Sequence, residues 1–94
     1  MAIVSVKHKA LRRLIERGDR KGFAPEVAEK LEDMLTIIQS ANAIAEIAGF
    51  PGWKLHPLKG DLKGYWSLTV TRNYRLVFRF ENGNASALDF MDYH

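Results

Sequence analysis

Ninety-four residues are enough for one hydrophobic core and too few for two, and 47% apolar with 27% charged residues is the composition of a folded chain. The absence of cysteine excludes a disulfide framework, a thiolate metal site and a cysteine nucleophile. The net charge of +3 is segmented: residues 1–25 carry seven basic residues against Glu16 and Asp19, residues 26–53 carry Lys30 against five acids, and the rest carries six basic against four acidic residues. A basic patch facing a polyanion and a merely solvated surface both fit that pattern.

The first segment, MAIVSVKHKALRR, lacks the apolar core of a signal peptide, and nowhere do eighteen apolar residues run together. No export and no membrane span are expected, and the location is read as cytoplasmic. Residues 3–6 form a β-branched run suited to an edge strand. A basic helix follows over residues 8–17, with Leu11, Leu14 and Ile15 at helical spacing and Gly18 as its stop. Pro25 stands where a first helical residue belongs, and Val27, Leu31, Met34, Leu35 and Ile38 form one apolar stripe on a helix of about four turns whose outer face is acidic. Residues 42–48 suit a short helical turn before Gly49 and the Pro51-Gly52 pair.

Residues 53–58 read as extended around Pro57, which disfavours a central strand. Residues 65–70 alternate, with Trp66, Leu68 and Val70 on one face; residues 74–80 alternate too, with Tyr74, Leu76, Phe78 and Phe80 against Arg75, Val77 and Arg79. Putting both apolar sets on one face requires an odd loop, so Thr71, Arg72 and Asn73 are expected to form it, with Asn73 left-handed. The same parity applied to Phe80, Leu88 and Phe90 favours a three-residue loop of Glu81, Asn82 and Gly83, with a bulge at Gly83, over a two-residue Asn-Gly turn. The expected fold is α+β: two N-terminal helices packed on one face of a three- to four-stranded antiparallel sheet, as a single domain over residues 1–94. Arg75 and Arg79 then face away from the helices.

The chain ends on Asp92, Tyr93 and His94, an acid, a phenol and an imidazole in a row. They supply proton donors and acceptors within a few ångströms if the last strand is pinned into the sheet; a solvated terminus without a role is the plain alternative. His56, in KLHPLKGD, has Pro57 fixing the backbone after it and Lys54 and Lys59 on either side, so it is either a structural histidine or an imidazole held beside an anion. Arg75 is either a phosphate clamp or an exposed strand arginine. His8, His56 and His94 form no close ligand pair, and HExxH, calcium-loop, P-loop and dinucleotide patterns are lacking, so no metal and no cofactor are expected.

Three segments taken together, VKHKALRRLIERGD, KLHPLKGDLKGYWSLTVTRNYRLVFRFENG and the terminal DYH, resemble the plasmid-maintenance killer family, the HigB toxins of the RelE/ParE superfamily. The resemblance spans essentially the whole chain. It implies a RelE-like fold, ribosome-dependent cleavage of mRNA, and neutralisation by a HigA-type antitoxin with a helix-turn-helix domain, through which alone operator DNA would be met. Carried over by position, it implies catalytic roles for His56, Asp92, Tyr93 and His94, and substrate binding by Lys59, Asn73 and Arg75. Tyr74 departs from the tryptophan of many relatives, and Arg72 stands where a small residue is common. The implied chemistry is attack of the RNA 2′-hydroxyl on the adjacent phosphorus, with Asp92 or His56 as base, His94 or His56 as acid, and Arg75 with Lys59 on the phosphate. Two rivals are a ParE-like gyrase poison, which would not need DYH, and an RNA-binding module that leaves its RNA intact.

Overall fold

In the computed structural model, which describes residues 1–93, helices α1 (Lys9–Arg17), α2 (Pro25–Ser40) and α3 (Ile44–Ile47) precede a four-stranded antiparallel sheet. Its strands are β1 (His56–Pro57), β2 (Tyr65–Thr69), β3 (Tyr74–Glu81) and β4 (Asn84–Asp92), neighbouring one another in chain order. This is the α+β arrangement read from the sequence.

Helix α1 starts one residue later than expected because His8 caps it: its Nδ1 accepts the Leu11 N–H at 3.2 Å. Gly18, left-handed at φ 65°, ends it, with its N–H and that of Asp19 closing on the carbonyls of Leu14 and Arg13. Pro25 is the first residue of α2, where its missing N–H costs nothing. Leu11 and Leu14 of α1 and Leu31, Met34, Leu35 and Ile38 of α2 pack with Leu68, Leu76, Phe78 and Leu88 of the sheet in one core. Glu46 opens α3 by accepting the backbone N–H groups of Asn42 and Ala43 at 2.8 and 3.0 Å.

Leu68 pairs with Leu76 and Trp66 with Phe78, so β2 and β3 share an apolar face as parity required. Their loop has the three expected residues, with the N–H of Val70 on the Tyr74 carbonyl at 3.0 Å. Asn73, however, is not left-handed. Its carbonyl accepts the Tyr93 N–H at 2.6 Å, extending the β3–β4 ladder and keeping the residue out of that conformation.

The second hairpin corrects the sequence reading. Glu81 pairs with Asn84, leaving a two-residue Asn82-Gly83 turn with φ of 54° and 77°, the left-handed pair that matches strand twist. The extra residue that parity demanded sits in β4 instead: the register slips between Val77 and Arg79, and Ala87 takes φ 51°. Residues 2–7 hold this bulge. They run parallel along the outer edge of β4 as two bridges, Ile3 to Ala85 and Val6 to Leu88, rather than as the continuous edge strand expected. Between the bridges, the Ala87 N–H turns to the Ser5 hydroxyl at 2.8 Å. Residues 53–58 are also less extended than expected: Pro51–Trp53 is a 3-10 turn started by proline, and only His56 and Pro57 form a strand, at the opposite edge of the sheet.

Candidate active site

His56 owes its setting to that turn. Lys54 follows it in a left-handed conformation, φ 49° and ψ 50°, unusual for a residue with a Cβ, and its carbonyl lies 3.1 Å from His56 Nδ1. A carbonyl only accepts, so Nδ1 carries the proton and a neutral ring presents the bare lone pair of Nε2. The side chain is exposed.

Partners in register lie on one face, and four of them, His56, Ser67, Val77 and Asp89, make a row across the sheet. Thr69, Arg75 and Met91 form the next row of the same face. Strand spacing and rise place the Cα atoms of His56 and Arg75 about 12 Å apart, a gap that an imidazole and a long guanidinium close from both sides. Arg75 bends toward the hairpin: its Nη1 donates to the carbonyls of Thr71 at 2.9 Å, Tyr74 at 3.2 Å and Arg72 at 3.4 Å. Its Nε and Nη2 make no hydrogen bond among the described residues, which leaves one edge of the fork for an anion. The Tyr93 ring stacks on this guanidinium, 4.8 Å from its carbon, and the Tyr93 N–H bond to Asn73 pins the strand end that carries it.

The structure therefore brings His56, Arg75 and Tyr93 to the face that points away from the helices, with Asn73 in the loop beneath Arg75. It does not bring Asp92 there. Asp92 pairs with Tyr74 and lines a cavity on the helix side of the sheet, since consecutive strand residues point oppositely. Lys59 is exposed and immediately precedes the 3-10 turn Gly60–Leu62, three residues beyond His56 on the same edge segment. His94 lies outside the described residues.

One residue of this face, Lys7, escaped the sequence reading. The Lys7 N–H bonds to the Leu88 carbonyl at 2.7 Å, which sets Lys7 beside β4, and its ammonium reaches over the Tyr65 ring, 5.6 Å from the centroid. The sequence suggested an edge strand over residues 3–6 but neither its partner, β4, nor the reach of Lys7. Arg79 contributes less than expected because Glu81 binds its Nε at 2.6 Å. Beneath these side chains Ser67 and Val77 are buried, and the Ser67 hydroxyl has no hydrogen-bond partner among the described residues. No cluster of three metal-binding side chains occurs among the described residues, and no helix is long and apolar enough to cross a membrane.

Two solved structures share this fold, an antiparallel sheet with helices on one face. The YoeB–YefM complex from Staphylococcus aureus aligns with a TM-score of 0.59 at 18% identity, over 100% of this chain and 97% of that one. A YoeB/ParE toxin from Agrobacterium tumefaciens aligns at 0.57 and 21%, over 97% and 99%. At these identities the likeness is one of fold. Sequence goes further: residues 4–94 match the HigB-like toxin family, described as RelE-like toxins of type II toxin-antitoxin systems. The chain is 45% identical over 92 residues to endoribonuclease HigB of Proteus vulgaris, covering 98% of this chain and 99% of that one. It is 34% identical over 80 residues to toxin HigB-1 of Vibrio cholerae serotype O1, covering 84% of each. The chain belongs to the HigB family of type II toxin-antitoxin toxins.

Proposed function

We propose that this chain, acting as one domain, is a metal-independent endoribonuclease that cuts mRNA on the ribosome and so stops translation. The observation that carries the reading is the hydrogen bond from His56 Nδ1 to the Lys54 carbonyl, which aims a proton-accepting Nε2 out of the face that also holds Arg75 and Tyr93. His56 takes the proton of the RNA 2′-hydroxyl as that oxygen attacks the adjacent phosphorus. The bond from phosphorus to the 5′-oxygen breaks, and the departing oxygen takes a proton from His94. The products are a 2′,3′-cyclic phosphate and a 5′-hydroxyl. Arg75, through its open edge, and Lys59 stabilise the charge on the non-bridging oxygens; Tyr93 stacks on a base and Asn73 contacts the strand. Asp92, facing the other way, takes no part in these proton steps.

The ribosome supplies what a small open face lacks, a splayed strand with the 2′-oxygen in line, an orientation effect of many powers of ten in rate. A HigA-type helix-turn-helix protein is the antitoxin expected to silence the chain and to carry operator binding. The complex of the YoeB relative with YefM is a precedent for a bound antitoxin on this fold.

The test is cleavage of mRNA on programmed ribosomes with a single 2′-deoxy sugar at the cut site. The all-ribo substrate should be cut in the presence of a chelator, leaving a 5′-hydroxyl end, and the deoxy substrate should resist. Cutting of the deoxy substrate refutes the mechanism. Intact mRNA beside a loss of gyrase supercoiling would replace the reading with the gyrase-poison one.

A further inference from the structure

Among the described residues, Lys54, Asn82 and Ala87 stand in the left-handed region without being glycine. The fold accounts for two of them: Asn82 lies in a hairpin turn that needs this conformation, and Ala87 lies in the bulge of β4. Lys54 serves neither purpose. It follows the 3-10 turn Pro51–Trp53, at a position where glycine is the residue that turns freely. Its side chain is exposed, so packing does not force the conformation either.

What the conformation does is place a carbonyl. In an extended strand side chains stand perpendicular to the sheet and carbonyls point along it, so an extended Lys54 would aim its oxygen away from the imidazole two residues on. Turned to φ 49° and ψ 50°, it sets that oxygen 3.1 Å from His56 Nδ1, the only hydrogen-bond partner of the ring among the described residues. A free neutral histidine favours the opposite tautomer, with its proton on Nε2, and a carbonyl on Nδ1 reverses the preference.

Strain of this kind persists where neighbours over-determine it. Trp53 and Lys54 donate their N–H groups to the carbonyls of Phe50 and Pro51 at 2.9 and 3.2 Å, and the rings of Phe50 and Trp53 stack at 4.4 Å and 13°. Trp53 also packs against the core, which ties the turn to the body of the protein. On the other side, Pro57 restricts the residue before it to extended backbone, and His56 and Pro57 both pair with β2. The ring is therefore braced from both directions along the chain.

We propose that Lys54 is a positioning residue for His56: its left-handed backbone, and not its ammonium, sets the tautomer that leaves Nε2 bare. A residue that abandons the left-handed region withdraws the carbonyl. The proton then moves through solvent from Nδ1 to Nε2, and the nitrogen offered to the RNA 2′-hydroxyl can no longer accept. The effect on cleavage rests on the ribonuclease reading; the effect on the tautomer does not.

Two substitutions separate backbone from charge, because both remove the ammonium. Glycine enters the left-handed region freely, whereas β-branched isoleucine is driven out of it. In the free full chain, in alkaline buffer that keeps the ring neutral, the His56 ring nitrogens followed by NMR should report the proton on Nδ1 for the parent and Lys54→Gly. For Lys54→Ile they should report it mostly on Nε2, while unchanged amide signals of β2 and β3 show that this variant is folded. On programmed ribosomes Lys54→Gly should cut mRNA about tenfold faster than Lys54→Ile, part of the roughly 10²–10⁴-fold that a general base supplies. The same tautomer in both variants, an Nε2 proton in Lys54→Gly, or cutting by the two at equal rates would overturn the proposal. The expected tautomers in a parent chain that leaves mRNA intact would support the role of the backbone while refuting the ribonuclease reading.

Discussion

The two faces of the sheet hold their side chains in different ways. On the helix side, Leu68, Leu76, Phe78 and Leu88 are fully buried against α1 and α2, and contact among apolar groups is all that fixes them. On the opposite face the candidate site's side chains are fixed by main-chain carbonyls: His56 by Lys54, and Arg75 by Thr71, Arg72 and Tyr74. Arg20 instead finds a carboxylate in Glu32, and Arg79, farther along the same face as Arg75, in Glu81. The contrast is instructive. A carbonyl orients a guanidinium or an imidazole without cancelling its charge or occupying its proton-accepting nitrogen, so the face keeps its capacity to bind an anion and to move a proton.

Substitutions that respect or violate this division sharpen it. The largest loss of stability belongs to the helix side: Phe78→Ala should cost about 3–5 kcal/mol in denaturant unfolding, because a fully buried ring leaves a cavity. Arg75→Ala should scarcely move the unfolding midpoint yet slow mRNA cleavage by roughly 10–100-fold, the loss of about 1.5–3 kcal/mol from a charge-assisted contact. Ser67→Ala should leave stability unchanged or raise it by up to about 1 kcal/mol, since its buried hydroxyl has no partner to lose. A marked loss there would show a hydrogen bond under working conditions. The smallest effect is expected for Glu32→Gln at the exposed Arg20 pair. Hydrogen bonding to Arg20 holds the Glu32 carboxyl below its ordinary range, so its contribution exists above the unfolded-state value and fades as pH falls through the lowered folded-state one. Unfolding curves of parent and variant should therefore differ slightly at neutral pH and converge in acid, the difference being small because the pair is exposed.

Local signals were enough for the helices, their stops and the paired alternation of β2 and β3. Gly18, Pro25 and the stripe from Leu31 to Ile38 each act within a turn or two of chain. Parity also demanded one extra residue between Phe80 and Leu88, but could not say where. The bulge settled at Ala87 and not at Gly83 because Ser5, more than eighty residues away, supplies its hydrogen-bond partner. Asn73 was misjudged for the same kind of reason, its backbone being claimed by Tyr93. At the site, alternation already implied that Asp92 and Tyr93, being consecutive on a strand, point to opposite faces; reading the terminal triplet as one cluster overlooked it. Lys7 was beyond reach, since its place on the candidate face depends on parallel pairing with β4, which the β-branched run of residues 3–6 does not specify.

The central claim is that proton abstraction belongs to His56, and one comparison bears on it most directly: thermal unfolding, ribosome binding and single-turnover mRNA cleavage for the parent chain and His56→Ala. His56 is exposed and tied only to its neighbour's carbonyl, so folding and ribosome binding should persist while cleavage falls by about 10²–10⁴-fold. A folded, ribosome-bound His56→Ala protein that still cuts within a few-fold of the parent rate would contradict the account.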